Sequence, residues 1–300
     1  MHARSRTIAG GSALALGIVA IIAAAAPASA ADLTCGSVIV TSTSLTHDLV
    51  CDGTTDGLVI GANGITLDLK GFTISGPGAY ATLKAGVRSA QHTGVTITNG
   101  TVTGFQAAVV LDESTTNVIS KVTATGNDQG INLSGGGGHI VTKNSISGSG
   151  RDAIRVGLSA SNVISQNTAS GNYYGIFVAD GSSNNRVERN TVTGTVAPGL
   201  ATFSNTSATT FSQNTVTGGG DDGLQVASNT SGTIVSQNTF AFNVGDGIDA
   251  AGATTLAKNT AVYNGQLGIR AVAPVIDGGG NKAAFNGDPA QCVGVVCSAP

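Results

Sequence analysis

The sequence predicts an all-β chain wound into a solenoid, each coil giving one short strand to each of three parallel sheets. Three observations predict it. Seven asparagines, Asn144, Asn167, Asn190, Asn214, Asn238, Asn259 and Asn281, follow one another at steps of 23, 23, 24, 24, 21 and 22 residues. A period held that closely marks one supersecondary unit, copied and stacked. Each copy also holds three short apolar patches, and three strands in so few residues cannot form a hairpin sheet but can form one coil. The composition agrees: 44 of 300 residues are glycine, tryptophan is absent, and Val, Ile, Thr, Ser and Asn outweigh the helix formers.

Taken in order, residues 1–30 are expected to be a signal peptide. Arg4 and Arg6 make a basic start, residues 13–26 an apolar run, and Ala28-Ser29-Ala30 a small-x-small cleavage site, so the mature chain is expected to begin at Ala31. The run is short for a membrane span. A secreted protein, with no membrane attachment after cleavage, is therefore expected. Residues 31–55 are assigned as an N-terminal cap, 56–287 as the solenoid and 288–300 as a C-terminal cap, because an open coil exposes unpaired strand edges. The four cysteines fall into two local pairs, Cys35 with Cys51 and Cys292 with Cys297. In an exported chain an even count reads as disulfides, and the spacings are not those of a zinc site.

Charge bounds the partners. Only 10% of the residues are charged, and the net charge is −3. No basic stripe is present, so nucleic acid is not an expected partner. A monomer is expected.

The repeat fixes which residues share a face. The first patch reads Gly-Ile-x-Val, as in Gly130-Ile131-Asn132-Leu133, Gly175-Ile176-Phe177-Val178, Gly223-Leu224-Gln225-Val226 and Gly247-Ile248-Asp249-Ala250. The second places Val141, Ile164, Val187, Phe211, Val235 and Leu256 three residues before the ladder asparagine. The third places Ile146, Val192, Val216 and Phe240 two residues after it. The ladder asparagine is expected at a turn, in left-handed backbone, donating its amide to the asparagine of the next coil. A second set follows five residues later at Asn127, Asn172, Asn243, Asn264 and Asn286, and Gly100 and Val122 hold the first ladder position in the early coils. His139, after four glycines, is expected in a solvated turn.

On these residues the chain resembles the right-handed parallel β-helix repeat proteins of the pectin-lyase-like fold, with short coils similar to those of NosD-like and alginate-epimerase-like helices. The resemblance spans about residues 38–287. The repeat itself counts about ten coils, right-handed by the general chirality of parallel crossovers, and the resemblance implies the same parallel β-helix. The resemblance also implies a place for chemistry, because substrates of such enzymes lie along the sheet made by the first strand of each coil. Two family motifs are missing: the Asp-Pro-His-Asp of alginate epimerases, and the Gly-His-Gly with downstream Arg-Ile-Lys of pectin hydrolases.

The outward residues of that sheet are Arg88, Val110, Asn132, Arg155, Phe177, Ala201, Gln225, Asp249 and Arg270, with Lys84, Asp128, Asp152, Tyr173, Tyr174, Asp221, Asp222 and Asp246 in the preceding turns. Of these, Lys84, Arg88, Asn132, Phe177, Gln225 and Arg270 are candidates for substrate binding. Asp222 and Asp246 hold the same position in adjacent coils, roughly 5 Å apart. Two carboxylates that close suit acid/base work on a glycoside, with one pKa raised. Together with Asp221 and Asp249 they suit Ca²⁺, the one cofactor suggested; Asp before Gly also makes ordinary turns. Arg155, Tyr174 and Asp152 suggest another chemistry. In β-elimination a cation neutralises a sugar carboxylate, here Arg155, and a base takes the C5 proton, here Tyr174. An ordinary Asp152–Arg155 ion pair is the plain alternative. The insertion Gly76-Pro77-Gly78-Ala79-Tyr80 is expected to overhang Lys84 and Arg88.

The leading expectation is a secreted carbohydrate-active protein acting on an acidic, uronan-like polysaccharide by lyase-type β-elimination. The alternatives are a non-catalytic glycan-binding or structural solenoid, and a glycoside hydrolase using the Asp222/Asp246 pair.

Overall fold

The computed structural model describes residues 32–300; the expected signal peptide lies outside them. All regular structure among the described residues is β. The first sheet has twelve parallel strands, from Ser37–Ile39 through Asp152–Gly157 and Tyr174–Ala179 to Cys292–Val293, each bonded to the strand one coil away. A second sheet runs from Thr43–Ser44 to Ile276–Asp277, and a third from Leu49–Val50 to Cys297–Ser298. Strands Thr96–Thr103 and Val118–Thr125 pass through both the second and third sheets. The chain makes about eleven turns. The terminal segments assigned as caps are paired in register with their neighbours, Ser37 with Leu58 and Cys292 with Ile269. Disulfides join Cys35 to Cys51 and Cys292 to Cys297.

The core follows from the Gly-Ile-x-Val pattern. Ile131, Ile154, Ile176, Leu200, Leu224, Ile248 and Ile269 stand in register and are essentially inaccessible. Strand alternation turns the intervening x residue outward. The motif glycine has a steric reason: a Cβ on Gly223 or Gly247 would fall 2.6 or 2.5 Å from the carbonyl oxygen of Gly247 or Gly268 in the next coil.

The asparagine ladder is an inward device. Asn144 Nδ2 donates to Asn167 Oδ1 at 2.9 Å. The same bond joins Asn167 to Asn190 (3.0 Å), Asn190 to Asn214 (3.0 Å), Asn214 to Asn238 (3.0 Å), Asn238 to Asn259 (3.1 Å) and Asn259 to Asn281 (3.2 Å). Each amide also reaches a backbone carbonyl of the coil before, as Asn190 does to Ile164. Each side-chain oxygen accepts a backbone N–H from the preceding ladder residue, as Asn190 does from Asn167. At the end of the column Asn281 Nδ2 donates to Leu256 O and to the Asp277 carboxylate. Backbone N–H groups of Val296 and Gly279, then Asn281, hold Asp277 below the usual carboxylate range.

The expected left-handed asparagine is displaced by one position. Positive φ belongs to the residue before it, at Lys143, Gln166, Arg189, Gln213, Gln237 and Lys258. That residue turns the corner, which frees the asparagine to point into the core. The second ladder runs Asn243 to Asn264 to Asn286, closing on Gln291 Oε1. A third, unforeseen from the sequence, occupies the corner between the first and second sheets at Asn117, His139, Asn162 and Asn185.

His139 corrects a second expectation. It is completely buried, not solvated. Its Nδ1 accepts the Asn117 N–H at 3.2 Å, so that nitrogen carries no proton, and its Nε2 is buried without a partner. Burial pushes its pKa down from 6.5 to about 4.

Two outcomes follow for stability. Asn190→Ala removes two donated bonds and strips Asn167 of its acceptor, so urea unfolding should show a loss of about 3 kcal/mol or more. His139 has a folded pKa below its unfolded one, so its contribution is complete above the unfolded pKa of 6.5 and lost as the pH falls towards 4. His139→Asn, which completes the ladder, should therefore raise the thermal midpoint at pH 5 by more than at pH 8.

Candidate functional site

The register places the x column on one outward face: Arg88, Val110, Asn132, Arg155, Phe177, Ala201, Gln225, Asp249 and Arg270 are successive partners. Along this face three zones succeed one another. Neighbouring coils are about 4.8 Å apart.

The first zone is a polar groove of about 330 Å³, lined by Arg88, Gln106, Ala107, Val110, Asp112, Gln129, Asn132, Ser134, Arg151 and Arg155. Small side chains at Ala107 and Val110 make its floor, and longer ones on the flanking coils make its ends. Its arginines are already paired. Arg88 Nε lies 2.8 Å from Asp56, Arg151 lies 3.8 Å from Asp128, and Arg155 lies 2.5 Å from Asp180 but 3.9 Å from Asp152. Asp152 is buried, and burial raises its pKa against a hydrogen bond from Gln129 and the nearby charge of Arg155.

The second zone is aromatic. Tyr173 and Tyr174 meet edge to face at 5.2 Å, Tyr174 lies 4.9 Å from Phe177, and Phe177 stacks on Phe203 at 5.4 Å. The Arg155 guanidinium sits 5.2 Å above Phe177. Desolvation raises the Tyr174 pKa, helped by Tyr173, Asp152 and Asp221. That direction opposes a role as base.

The third zone is acidic. Asp222 and Asp246 occupy matching positions, and Asp222 Oδ1 accepts the Asp246 N–H at 2.7 Å. Asp246 in turn accepts the Leu267 N–H at 2.8 Å and Arg270 Nε at 2.9 Å, while Arg270 NH2 holds Asp249. Arg270 is thus engaged by two carboxylates. Asp222 has no such cation. Burial pushes its pKa up to about 7, with Asp221, Asp246 and Asp249 adding to the rise. Asp249 is also raised, by burial first, and its Oδ1 is buried without a partner. Among the described residues no group of three or more His, Cys, Asp or Glu side chains is arranged to hold a metal ion.

The residues named from sequence therefore divide. Arg88, Asn132 and Arg155 line the groove, Tyr174 and Phe177 form the aromatic zone, and Asp221, Asp222, Asp246, Asp249 and Arg270 form the acidic one. Gln225 lies beside Asp249 on the outward column, and Lys84 lies outside the groove lining. Asp180, Arg151, Gln106, Gln129 and Phe203 were missed. Following each strand two residues past x reaches Asp112, Ser134 and Phe203, so the same periodicity held that signal. The insertion does not stop over Lys84 and Arg88: Tyr80 reaches Gly150.

The model of the right-handed β-helix region matches residues 56–216 and 198–283. The chain belongs to this right-handed β-helix family. Among solved structures it is similar to the periplasmic alginate epimerase AlgG, at 13% identity and a TM-score of 0.68, covering 88% of this chain and 74% of that one. It is also similar to the catalytic domain of a GH87 α-1,3-glucanase in complex with nigerose, at 14% identity and a TM-score of 0.56, covering 88% and 61%. A tailspike protein of E. coli bacteriophage HK620 in complex with a pentasaccharide matches at 13% identity and a TM-score of 0.58, covering 87% and 59%. At these identities the likeness is one of fold. A sequence comparison with curated proteins finds no match.

The acidic zone sets two expectations. Because the folded pKa of Asp222 lies above its unfolded one, its ionisation opposes folding, and stability is lost as the pH rises from about 4 towards 7. This is the reverse of the His139 effect over the same window. Asp222→Asn should raise the thermal midpoint at pH 8, leave it unchanged at pH 3, and make the protein visibly acid-sensitive. Arg270→Ala leaves Asp246 and Asp249 without their cation, so carboxyl titration by NMR should show Asp249 rising further above the usual carboxylate range.

Proposed function

We propose that this protein acts on an extracellular polysaccharide laid along the first sheet, with acid/base chemistry centred on Asp222. One observation carries the reading: groove, aromatic patch and acidic cluster follow one another on a single face, in line with the solenoid axis. An extended glycan meets first the amides and guanidinium groups that bind hydroxyls, then rings that take a sugar's C–H face, then a carboxyl group. A carboxylic acid with its pKa near 7 is half protonated at neutral pH, which suits a general acid delivering a proton to a glycosidic oxygen. Asp221 or Asp246 supplies the second carboxylate. The relatives of similar fold that hold nigerose or a pentasaccharide support a glycan as ligand. The two disulfides suit an oxidising, extracytoplasmic compartment.

The β-elimination reading has weaker geometric support. It asks Arg155 to hold a sugar carboxylate while Asp180 already binds it, and asks Tyr174 to be a base while its pKa is raised. Glycan binding without turnover needs only the groove and the aromatic zone.

Incubation with uronans and neutral glucans separates the three. Release of reducing ends without unsaturated products, falling above pH 7 and abolished in Asp222→Asn, is the expected result. Unsaturated, UV-absorbing ends lost in Arg155→Ala and Tyr174→Phe would replace it with elimination. Retention on a glycan without any product would leave a binding protein.

A further inference from the structure

The longest departure from the coil length is the loop between Thr73–Ser75 and Ala85–Ala90. Its base is fastened: Gly78 N donates to Gly104 O at 3.0 Å, and Thr82 Oγ1 to Gly53 O at 2.8 Å. Its tip crosses the neighbouring coils to reach Gly150, far along the solenoid corner. There the Tyr80 hydroxyl occupies the space a Cβ on Gly150 would need, and the ring carbon Cζ would lie 2.8 Å from that Cβ. Little else blocks the position. The next atom, Asp128 Oδ1, would be 3.3 Å away, and Gly150 is not in left-handed backbone. In this pose the space beside Gly150 is filled by Tyr80 and not by the backbone of a neighbouring coil.

Burial does not explain this pose, because Tyr80 is 79% exposed. Its location does. Gly150, beneath its hydroxyl, and Asp128, beside Gly150, immediately precede Arg151 and Gln129 of the groove lining. Tyr80 thus stands on the groove's rim, on the same corner that carries Tyr173 one coil further. An exposed ring, placed across coils by a matching notch and set beside amide and guanidinium donors, has the parts of a sugar subsite: an apolar face with polar groups at its edge.

We propose that Tyr80 contacts a pyranose unit at the rim of this groove, and that Gly150 is the positioning residue that sets the ring there. The C–H face of the sugar lies on Tyr80, its hydroxyls on Gln106, and a carboxylate, where the unit bears one, on Arg151. The inference rests on the reading that this face takes a polysaccharide.

Affinity electrophoresis through gels containing alginate, polygalacturonate or α-1,3-glucan tests both levels. With a glycan that retards the wild type, Tyr80→Ala and Gly150→Ala should each weaken binding about fivefold or more, and the double variant should be no worse than either. Tyr80→Phe in the Gly150→Ala background should recover part of the loss, because the colliding hydroxyl is gone. Thermal midpoints of Tyr80→Ala and Gly150→Ala should stay close to that of the wild type. The protein has no tryptophan, so Tyr80→Trp supplies a single tryptophan, excited selectively over the remaining tyrosines, whose fluorescence should change when the same glycan is added. Wild-type affinity in Tyr80→Ala would overturn the inference and leave the function standing. So would a loss confined to Gly150→Ala, which would assign the glycine to the coil. No retardation of the wild type on any of these glycans would overturn the polysaccharide reading, and the inference with it.

Discussion

From Asn117 onward the coils depend on side-chain amides that are buried in their corners and bonded to neighbouring coils. A tight corner turns backbone N–H and C=O groups away from the parallel ladders, and each one left dry and unpaired costs about 1–3 kcal/mol. Asparagine supplies both an acceptor and two donors on a short stem. Asn190 uses them all, receiving the Asn167 backbone, reaching the Ile164 carbonyl and passing a bond to Asn214. The sheets can then turn sharply without opening their edges to water. The small cross-section, the short strands and the fixed register follow from that solution.

Fixed register is what makes a functional face out of scattered residues. Asp222 and Asp246 are 24 positions apart in sequence and bonded in space. Arg270, a further coil on, clamps the Asp246 and Asp249 carboxylates and leaves Asp222 without a cation. An unpaired acid among three others keeps its proton near neutrality. The opposite treatment of His139, held neutral far below its ordinary range, comes from the same cause of burial without a counter-charge. One group resists acid and the other resists base, so their effects on stability oppose each other across mildly acidic pH.

Much of the fold was legible because its grammar is local and repeated. The spacing of the seven asparagines gave the coil length, and Gly-Ile-x-Val gave the inward and outward sides. What stayed hidden was non-periodic. Four glycines before His139 suggest an open turn, yet the histidine replaces an asparagine in a third ladder whose members are Asn117, Asn162 and Asn185. Asp180 sits just past its strand at a left-handed corner, where repeat spacing says nothing about which arginine it meets. The span of the Tyr80 loop depends on a notch at Gly150, and no local pattern links those two residues. The charged face was found in outline; its pairing, which decides which acid is left to react, required the packed structure.

The ladder also has a direction. Each amide gives to the coil ahead and receives from the coil behind, so every unit offers an acceptor on one side and a donor on the other. A unit inserted between two others meets the partners it needs on both faces and leaves no group unbonded. Chain length is thereby released from chemistry: such a protein can lengthen or shorten by whole coils through tandem duplication or deletion, at little cost to what remains. At the last unit the column stops on a residue of another kind, the carboxylate of Asp277, which the terminal segment covers through the Val296 N–H. The solenoid resembles a polymer with a terminator, in which new surface can be grown one coil at a time beside a site that stays as it was.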